Sequence, residues 1–514
     1  MNNKAPIFPL TLIIVLGIAW IGFFHNDTNA DLFGHVTIGE RILDTKEIPR
    51  TNTYSYTEPD HPWINQYWLS EIIFALLYRT FGNPGLILFM MAMSLGMITV
   101  AYKLIRKHYP HTHAITTFIV LVMTIGTLRT GITIRPQLFT YLFTIIMLHQ
   151  LSDMQMKRSH FILFPLLFLF WTNLHGGVVA GYGILSIWST ILLLKNWKTK
   201  LGPIFKYLAI LWFFSVVASF INPYGWNLHR FLLFANRLDH WFIQEWRPIT
   251  WMGYNNLFFK IVTPIYLIGI AYLIIPLRKI RWFPIIMSLI SFFLAIQHIR
   301  HVAFFALMLP IALSPPLDKI LNRYGLDLIA LSNRAQAWWK QHSQQFQRRF
   351  KLEFIILTIL STWLVSRTPF RLLIDPNKYP VAHVRWLKAN HLTGNLLNSY
   401  NWGYYLIREL YPAFKIATDG RYETAYSVDY TDQYLRFRYS NDMALSFLER
   451  YASDFILIER DLPVTRKINE SPDWLALNWN STAVLFASTK WTEEHQEHNF
   501  ELPLLRKLSE ITFK

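Results

Sequence analysis

Long apolar runs separated by short polar joints make up most of the chain up to about residue 366. A membrane-crossing helix needs about 20 mostly apolar residues, fewer where its flanking side chains reach back to the interface. Runs of that kind fall at 8–24, 84–102, 114–128, 136–152, 160–173, 178–194, 204–221, 258–276, 282–297, 302–315 and 353–366. They predict about eleven transmembrane helices. The first follows Lys4 and has the look of a signal peptide, but Thr28-Asn29-Ala30 is a poor cleavage site, so an uncleaved anchor is expected.

Beyond residue 366 the pattern shortens and charges are spread throughout. Apolar runs at 395–399, 415–418, 454–458, 474–479 and 482–487 predict strands. Helical spacing at 379–391, 402–410, 430–439 and 441–452 predicts helices between them. The expected organisation is therefore an α-helical polytopic membrane domain over 1–366 and a small soluble α/β domain over 367–514. The tail holds no G-x-G-x-x-G and no P-loop, so nothing in it predicts nucleotide binding.

Residues 25–83 form a long connection between the first two spans, and it too is patterned. Leu32, Val36, Gly39 and Leu43 recur at helical spacing, with Asp31 where an N-cap would stand. Asp31 and His35 are one turn apart and share a face. Trp68, Leu69, Ile72, Ile73, Leu76 and Leu77 predict an amphipathic helix at the bilayer surface, broken by Gly82-Asn83-Pro84.

Composition sharpens this picture. Only 16% of the 514 residues are charged and 53% are apolar, where soluble domains carry charge on about a quarter. The net charge of +17 would point to nucleic acid in a soluble protein; here it sits in alternate loops. Lys103, Arg106 and Lys107, then Lys157 and Arg158, then Lys195, Lys198, Lys200 and Lys206, then Arg278, Lys279 and Arg281 mark every second connection as cytoplasmic. A longer segment from Lys319 to Lys351 continues the series. The N-terminus is then inside and the tail outside. The chain has no cysteine, which excludes disulfides and thiolate chemistry.

The other set of loops carries Asp31, His35, Arg129, Arg135, His175, Glu245, His298, Arg300 and His301 beside apolar helix ends. Ionisable groups there are costly unless they line a polar cavity, so together they mark a candidate site. Singly, each is also explained as an interfacial anchor. Asp31 is either a helix cap or a carboxylate placed to take a proton from an acceptor hydroxyl. Arg135, with Arg300 and His301 as further candidates, offers cationic donors for a phosphate. Glu245 beside Trp246 is either a sugar-binding pair or a solvated acid next to an interfacial aromatic. His175-Gly176-Gly177 reads as a tight turn or as close backbone approach to a ligand. Asn398-Ser399-Tyr400-Asn401-Trp402-Gly403 and Thr418-Asp419-Gly420-Arg421 each follow a strand at the end where α/β sheets form clefts, and turn formation alone also explains the Asp-Gly step. Six histidines are expected on the external side, with no recognised metal-ligand spacing; a divalent ion bridging Asp31 and a phosphate is a possible cofactor, and no other is implied.

Several of these segments carry a resemblance. Asp31-Leu32-Phe33-Gly34-His35, Gly39-Glu40-Arg41-Ile42, Tyr54-Ser55-Tyr56-Thr57 and Trp68-Leu69 resemble the first loop of bacterial GT-C-type membrane proteins. Arg135-Pro136-Gln137, Trp171-Thr172-Asn173-Leu174-His175-Gly176-Gly177, Asn222-Pro223-Tyr224-Gly225, Glu245-Trp246 and Arg300-His301 are similar to that family too. The resemblance implies a glycosyltransferase that moves a sugar from a polyprenyl-phosphate carrier to a lipid or glycan acceptor on the external face, with Asp31 at the position of the base. It also implies a bacterial inner membrane protein of the cell envelope with a periplasmic tail. GT-C enzymes often show a closer acidic pair in this loop; here the next acid is Asp27. The alternatives are a transporter or flippase of lipid-linked saccharides, and a non-catalytic lipid- or partner-binding relative.

Overall fold

The computed structural model describes residues 7–26, 29–198, 201–234, 242–249, 256–274, 281–323, 372–439 and 444–495. The expected span at 353–366 lies outside them. The other ten expected spans are all helical: α1 Ile7–Phe23, the second half of α3 Trp68–His108, α4 Ala114–Leu128, α5 Gln137–Leu151, α6 His160–Leu174, α7 Val178–Asn196, α8 Leu201–Ser219, α10 Leu257–Ile274, α11 Trp282–Gln297 and α12 Val302–Arg323. Between them come α2 Ala30–Thr45 and α9 Trp226–Phe234. Five of these helices are long and apolar enough to cross a membrane, and five more are apolar but shorter. The chain is a multi-pass membrane protein. Ile162, Leu194, Phe205, Phe213 and Ile268 stand more than half exposed on such helices, a surface that water would penalise and acyl chains would not. Gly82, at φ 63° and ψ −152°, breaks α3 one residue before Asn83-Pro84, where the expected amphipathic segment ends.

By contacts the chain divides into two compact units. The first comprises Met1–His25, Phe81–Gly225 and Asp239–Arg371; the second comprises Asn26–Thr80, Trp226–Leu238 and Leu372–Lys514. In the first unit α4 packs on α1 and α12, α6 on α8, and α11 on α12. Large aromatic side chains, among them Trp171, Trp188, Phe168 and Phe305, are fully buried in these contacts. Polar side chains inside the helices are satisfied locally, as where Thr124 Oγ1 donates to the Val120 carbonyl at 2.8 Å.

The second unit is built on a five-stranded sheet: β1 Gly394–Asn398, β2 Phe414–Ile416, β3 Phe455–Glu459, β4 Trp474–Trp479 and β5 Ala483–Ser488, in the order β2-β1-β3-β5-β4. The first three are parallel, and β5 runs antiparallel to both β3 and β4. All five expected strands are present. Helices α13 Val381–Ala389, α14 Gly403–Leu410, α15 Val428–Tyr439 and α16 Ala444–Arg450 match the expected four. Two more, α17 Pro463–Glu470 and α18 Thr489–Glu494, were not expected from the sequence.

The first loop belongs physically to this sheet. Tyr56 N donates to Ile416 O at 3.2 Å and Ile416 N to Tyr54 O at 3.1 Å, so Tyr54–Tyr56 covers the open edge of β2. Helix α2 is then held on two sides through glycines. A Cβ on Gly39 would stand 2.0 Å from the Glu71 carbonyl of α3, and one on Gly34 would stand 1.9 Å from the Tyr404 ring of α14. No side chain larger than hydrogen fits at either place.

Candidate functional site

Asp31 lies in the first turn of α2, and the cap is not Asp31 but Asn29, whose Oδ1 accepts from Asp31 N at 3.0 Å. The sequence expectation that Asp31 occupies the cap position is corrected by two residues. Asn29 thus takes one of the open N–H groups of the helix end, and the Asp31 carboxylate stands further in, within the first turn. Its Oδ1 lies 3.2 Å from the point where a Cβ on Gly420 would stand. Three tyrosines surround this position. The hydroxyls of Tyr379, Tyr400 and Tyr404 are all raised above their ordinary value, first by burial and then by carboxylates that include Asp31. All three stay protonated at neutral pH.

The segment facing Asp31 is rigid because of a buried ion pair. Arg421 Nε donates to Asp419 Oδ1 at 2.8 Å and its Nη2 to Oδ2 at 2.6 Å, with both side chains almost wholly buried. Burial works against the guanidinium charge, and the Asp419 carboxylate outweighs it, raising the Arg421 pKa. Tyr426 Oη donates to Asp419 at 2.7 Å, and Arg421 Nη2 donates to Asn52 of the first loop at 2.6 Å. The Arg421 guanidinium also sits against the Tyr54 and Trp63 rings at 5.1 and 4.7 Å. Sequence reading singled out Thr418-Asp419-Gly420-Arg421 but not this pairing, which makes Gly420 a fixed wall beside Asp31.

His35 is buried one turn further along α2. Its Nδ1 is 3.1 Å from Glu71 Oε1, while Asn65 Nδ2 donates to Glu71 Oε2 at 2.5 Å. The rings of Tyr67, Phe74 and Tyr404 enclose it. This geometry makes His35 a tie between α2 and α3, one turn from Asp31. Beside Asp31, a cleft of about 470 Å³ opens along Ala30, Tyr379, Asn401, Trp402, Glu459 and Arg460. The Asn401-Trp402 motif therefore lines a cavity, and Trp402 is fixed there by its Nε1 bond to the Lys378 carbonyl at 2.8 Å.

A second cluster forms within the first unit and gathers six of the expected residues. Arg135 grips Glu245 with two hydrogen bonds, Nη1 to Oε2 at 2.7 Å and Nη2 to Oε1 at 3.1 Å. Burial raises the Glu245 pKa, but the charges of Arg135, Arg300 and His301 and the Arg135 bonds outweigh it and hold the carboxyl down at about 2. The Arg300 guanidinium stacks on the Trp246 ring at 4.3 Å. His298 Nδ1 is 2.6 Å from the Trp246 carbonyl, and the His301 ring approaches the Trp246 ring at 6.4 Å. Trp246 thus carries a cation rather than an open face for a sugar ring. Arg129 is exposed at the end of α4.

His175 is buried in the same unit. Its Nδ1 lies 2.8 Å from Thr140 Oγ1 and accepts from Gly177 N at 2.9 Å, while Trp171 Nε1 donates to Thr140 at 2.7 Å. A Cβ on Gly177 would stand 2.4 Å from Thr140 Oγ1. The His-Gly-Gly segment is a packed turn between α6 and α7. Tyr400 falls in a motif the sequence singled out, whereas Tyr379, Tyr404 and Glu71 were missed because nothing local marks them until their partners are known.

The sequence matches no protein-family model, and no curated protein matches it. Solved structures do. The archaeal oligosaccharyltransferase AglB from Archaeoglobus fulgidus, in complex with an inhibitory peptide and a dolichol-phosphate, is similar over 95% of this chain and 74% of that one, at a TM-score of 0.60 and 11% identity. The apo form of the A. fulgidus oligosaccharyltransferase gives a TM-score of 0.58 at 12% identity, over 88% of this chain and 70% of that one. The same enzyme tethered to an acceptor peptide gives 0.56 at 11% identity, over 95% and 74%. The chain has the GT-C membrane fold that the sequence resemblance implied.

Proposed function

We propose that this protein is a membrane glycosyltransferase that moves a sugar from a polyprenyl-phosphate-linked donor to a lipid or glycan acceptor on the external face of a bacterial inner membrane. The reading is carried by one observation: on a GT-C fold, a first-loop carboxylate, Asp31, stands in the first turn of α2 against Gly420, beside a polar cleft lined by Ala30, Tyr379, Asn401 and Trp402. The alternation of basic loops supports an inside N-terminus and an outside tail.

The chemistry asks little of the protein. The bond between the anomeric carbon and the carrier phosphate breaks, the acceptor oxygen takes the carbon, and the acceptor proton goes to a base. Asp31 suits the base. The phosphate leaves as an anion on its lipid, and planar guanidiniums suit its oxygens. Within the first unit, Arg135, in its two-bond grip on Glu245, and Arg300, stacked on Trp246, are guanidiniums of that chemistry. The cleft along Asn401 and Trp402 suits the acceptor.

A divalent ion would need further carboxylates near Asp31. Among the described residues no three His, Asp or Glu side chains converge, and Asp419 is committed to Arg421. Among the described residues the side chains near Asp31 do not make a donor set, and the roles proposed above are those of the chain's own side chains. A transporter is less favoured, because the candidate polar groups gather at helix ends and not along a path through the helices.

The test is mass spectrometry of envelope glycolipids and glycans from cells carrying the wild type, a deletion, or Asp31→Asn. Loss of one sugar from a product in both altered strains, with the variant expressed and folded, supports the transferase. Normal product from Asp31→Asn would turn the reading toward a non-catalytic binding protein.

A further inference from the structure

The largest cavity described here lies far along the helices from the Arg135 cluster. It measures about 830 Å³, within the range of specific ligand sites. Arg135, His175 and Arg300 stand at the beginnings of α5 and α7 and just after the end of α11; this cavity is formed at the opposite ends of the same three helices, with the end of α3. At 1.5 Å per residue, the helices separate the two places by roughly 20–25 Å. The cavity is therefore distinct from the cluster assigned to the sugar donor, and the argument for its ligand needs only the membrane fold.

Its charged lining is Lys107, Lys195, Arg281 and Asp153. Asp153 is already shared by Lys107 at 2.9 Å and Lys157 at 2.5 Å. Lys107 also donates to the His149 carbonyl at 2.5 Å. That leaves two cations for a ligand. Lys195 is exposed at the end of α7 with no carboxylate partner among the described residues, and Arg281, just before α11, likewise has none among them; it contacts His108 Nδ1 at 3.3 Å and lies over the Tyr109 ring at 5.9 Å. The cavity is net positive and its cations come from two different helices.

Apart from His108 and Ser152, the remaining wall is apolar. Ile191, Leu194, Trp282 and Phe283 line it, and Leu194 and Trp282 are 67% and 54% exposed. Leu194 also lines a second groove of about 450 Å³, formed by Leu193, Trp197, Leu201 and Phe205 without any charged side chain. A positive cavity that opens through one shared leucine into an apolar groove has the two-part chemistry of an amphiphile. A free phosphate or a nucleotide would use the first part and leave the second bare.

We propose that this is a binding site for an anionic phospholipid, with its headgroup phosphate between Lys195 and Arg281 and an acyl chain along Leu194, Trp197 and Phe205. Basic pockets at the cytoplasmic ends of transmembrane helices take such headgroups by charge. The site lies at the helix ends that carry the basic loops.

The experiment is native mass spectrometry of the full-length protein released from nanodiscs made of equal phosphatidylglycerol and phosphatidylcholine. The wild type should retain phosphatidylglycerol in preference, and Lys195→Gln and Arg281→Gln should each lower that retention about fivefold. Both side chains are exposed, so neither variant should unfold; thermal melting checks this, and Lys195→Gln alone suffices if Arg281→Gln melts early. Leu194→Ser should shorten retention without changing the preference for the anionic headgroup. Equal retention of the two lipids by the wild type, or unchanged retention in Lys195→Gln, would overturn the proposal. Displacement of the lipid by millimolar inorganic phosphate would make it a phosphate site instead.

Discussion

Asp31 and Gly420 are separated by about three quarters of the chain, yet Asp31 Oδ1 stands 3.2 Å from where a Cβ on Gly420 would be. The same Cβ would meet Tyr404 Cε2 at 2.5 Å. Gly420→Ala therefore forces either the tyrosine or the carboxylate to move, and the buried Asp419–Arg421 pair keeps the backbone from yielding. Misplacing a reacting group by an ångström can cost about a hundredfold. The expected outcome is a fall of at least about tenfold in product, with a stability loss of only about 1–3 kcal/mol. Gly183→Ala, where nothing stands within 4 Å, is the control and should change neither.

Asp31→Asn keeps the shape of the side chain and removes its basicity. If the carboxylate takes the acceptor proton, turnover should fall by about 10²–10⁴. Because Asn29 caps α2, the substitution leaves the helix end satisfied, and thermal unfolding should shift little. A large loss of stability with proportionate loss of product would instead identify Asp31 as a scaffold residue.

The Asp419–Arg421 pair should behave as a buried pair does. Arg421→Met leaves a carboxylate stranded in the core and should cost about 3–5 kcal/mol, whereas changing both partners should cost less than the sum. Hydrogen exchange at β2 and at Tyr422–Tyr426 in the full-length protein reads this locally. Additive losses in the double variant Asp419→Asn/Arg421→Met would show that the two side chains act independently.

The strands of the tail were legible because they are buried: Leu396-Leu397, Phe455–Ile458 and Ala483–Ala487 form unbroken apolar runs. The spans were legible for the same reason of length and apolarity. Pairing was not. Tyr54-Ser55-Tyr56-Thr57 stood out as a motif, but its partners Ile416 and Ala417 lie some 360 positions away, as the Ser55 bond to Ala417 shows. Arg135 and Glu245 were each visible as ionisable groups near helix ends, while their bidentate contact across 110 positions was not. The cap at α2 was misplaced because Asn29 and Asp31 are both good caps, and only the backbone decides which one turns the chain.

That Arg135–Glu245 contact gives a pH test with a definite sign. The Glu245 carboxyl is held at about 2 in the fold against an ordinary 4.5, because the charges around it outweigh burial. A depressed carboxyl stabilises the fold in its ionised form, so its contribution is complete above about pH 4.5 and disappears as the pH falls toward 2. At about 1.4 kcal/mol per unit the ceiling is roughly 3 kcal/mol, and solvent screening of the partly exposed pair lowers it. Unfolding of wild type and Glu245→Gln should therefore differ by a constant amount from pH 7 to about 5, and the gap should close between pH 4.5 and 2.5. Arg135→Gln should remove most of the pH dependence, since Arg135 supplies the dominant charge. A gap that persists undiminished at pH 2.5 would mean that Glu245 stabilises this cluster through packing and not through its charge.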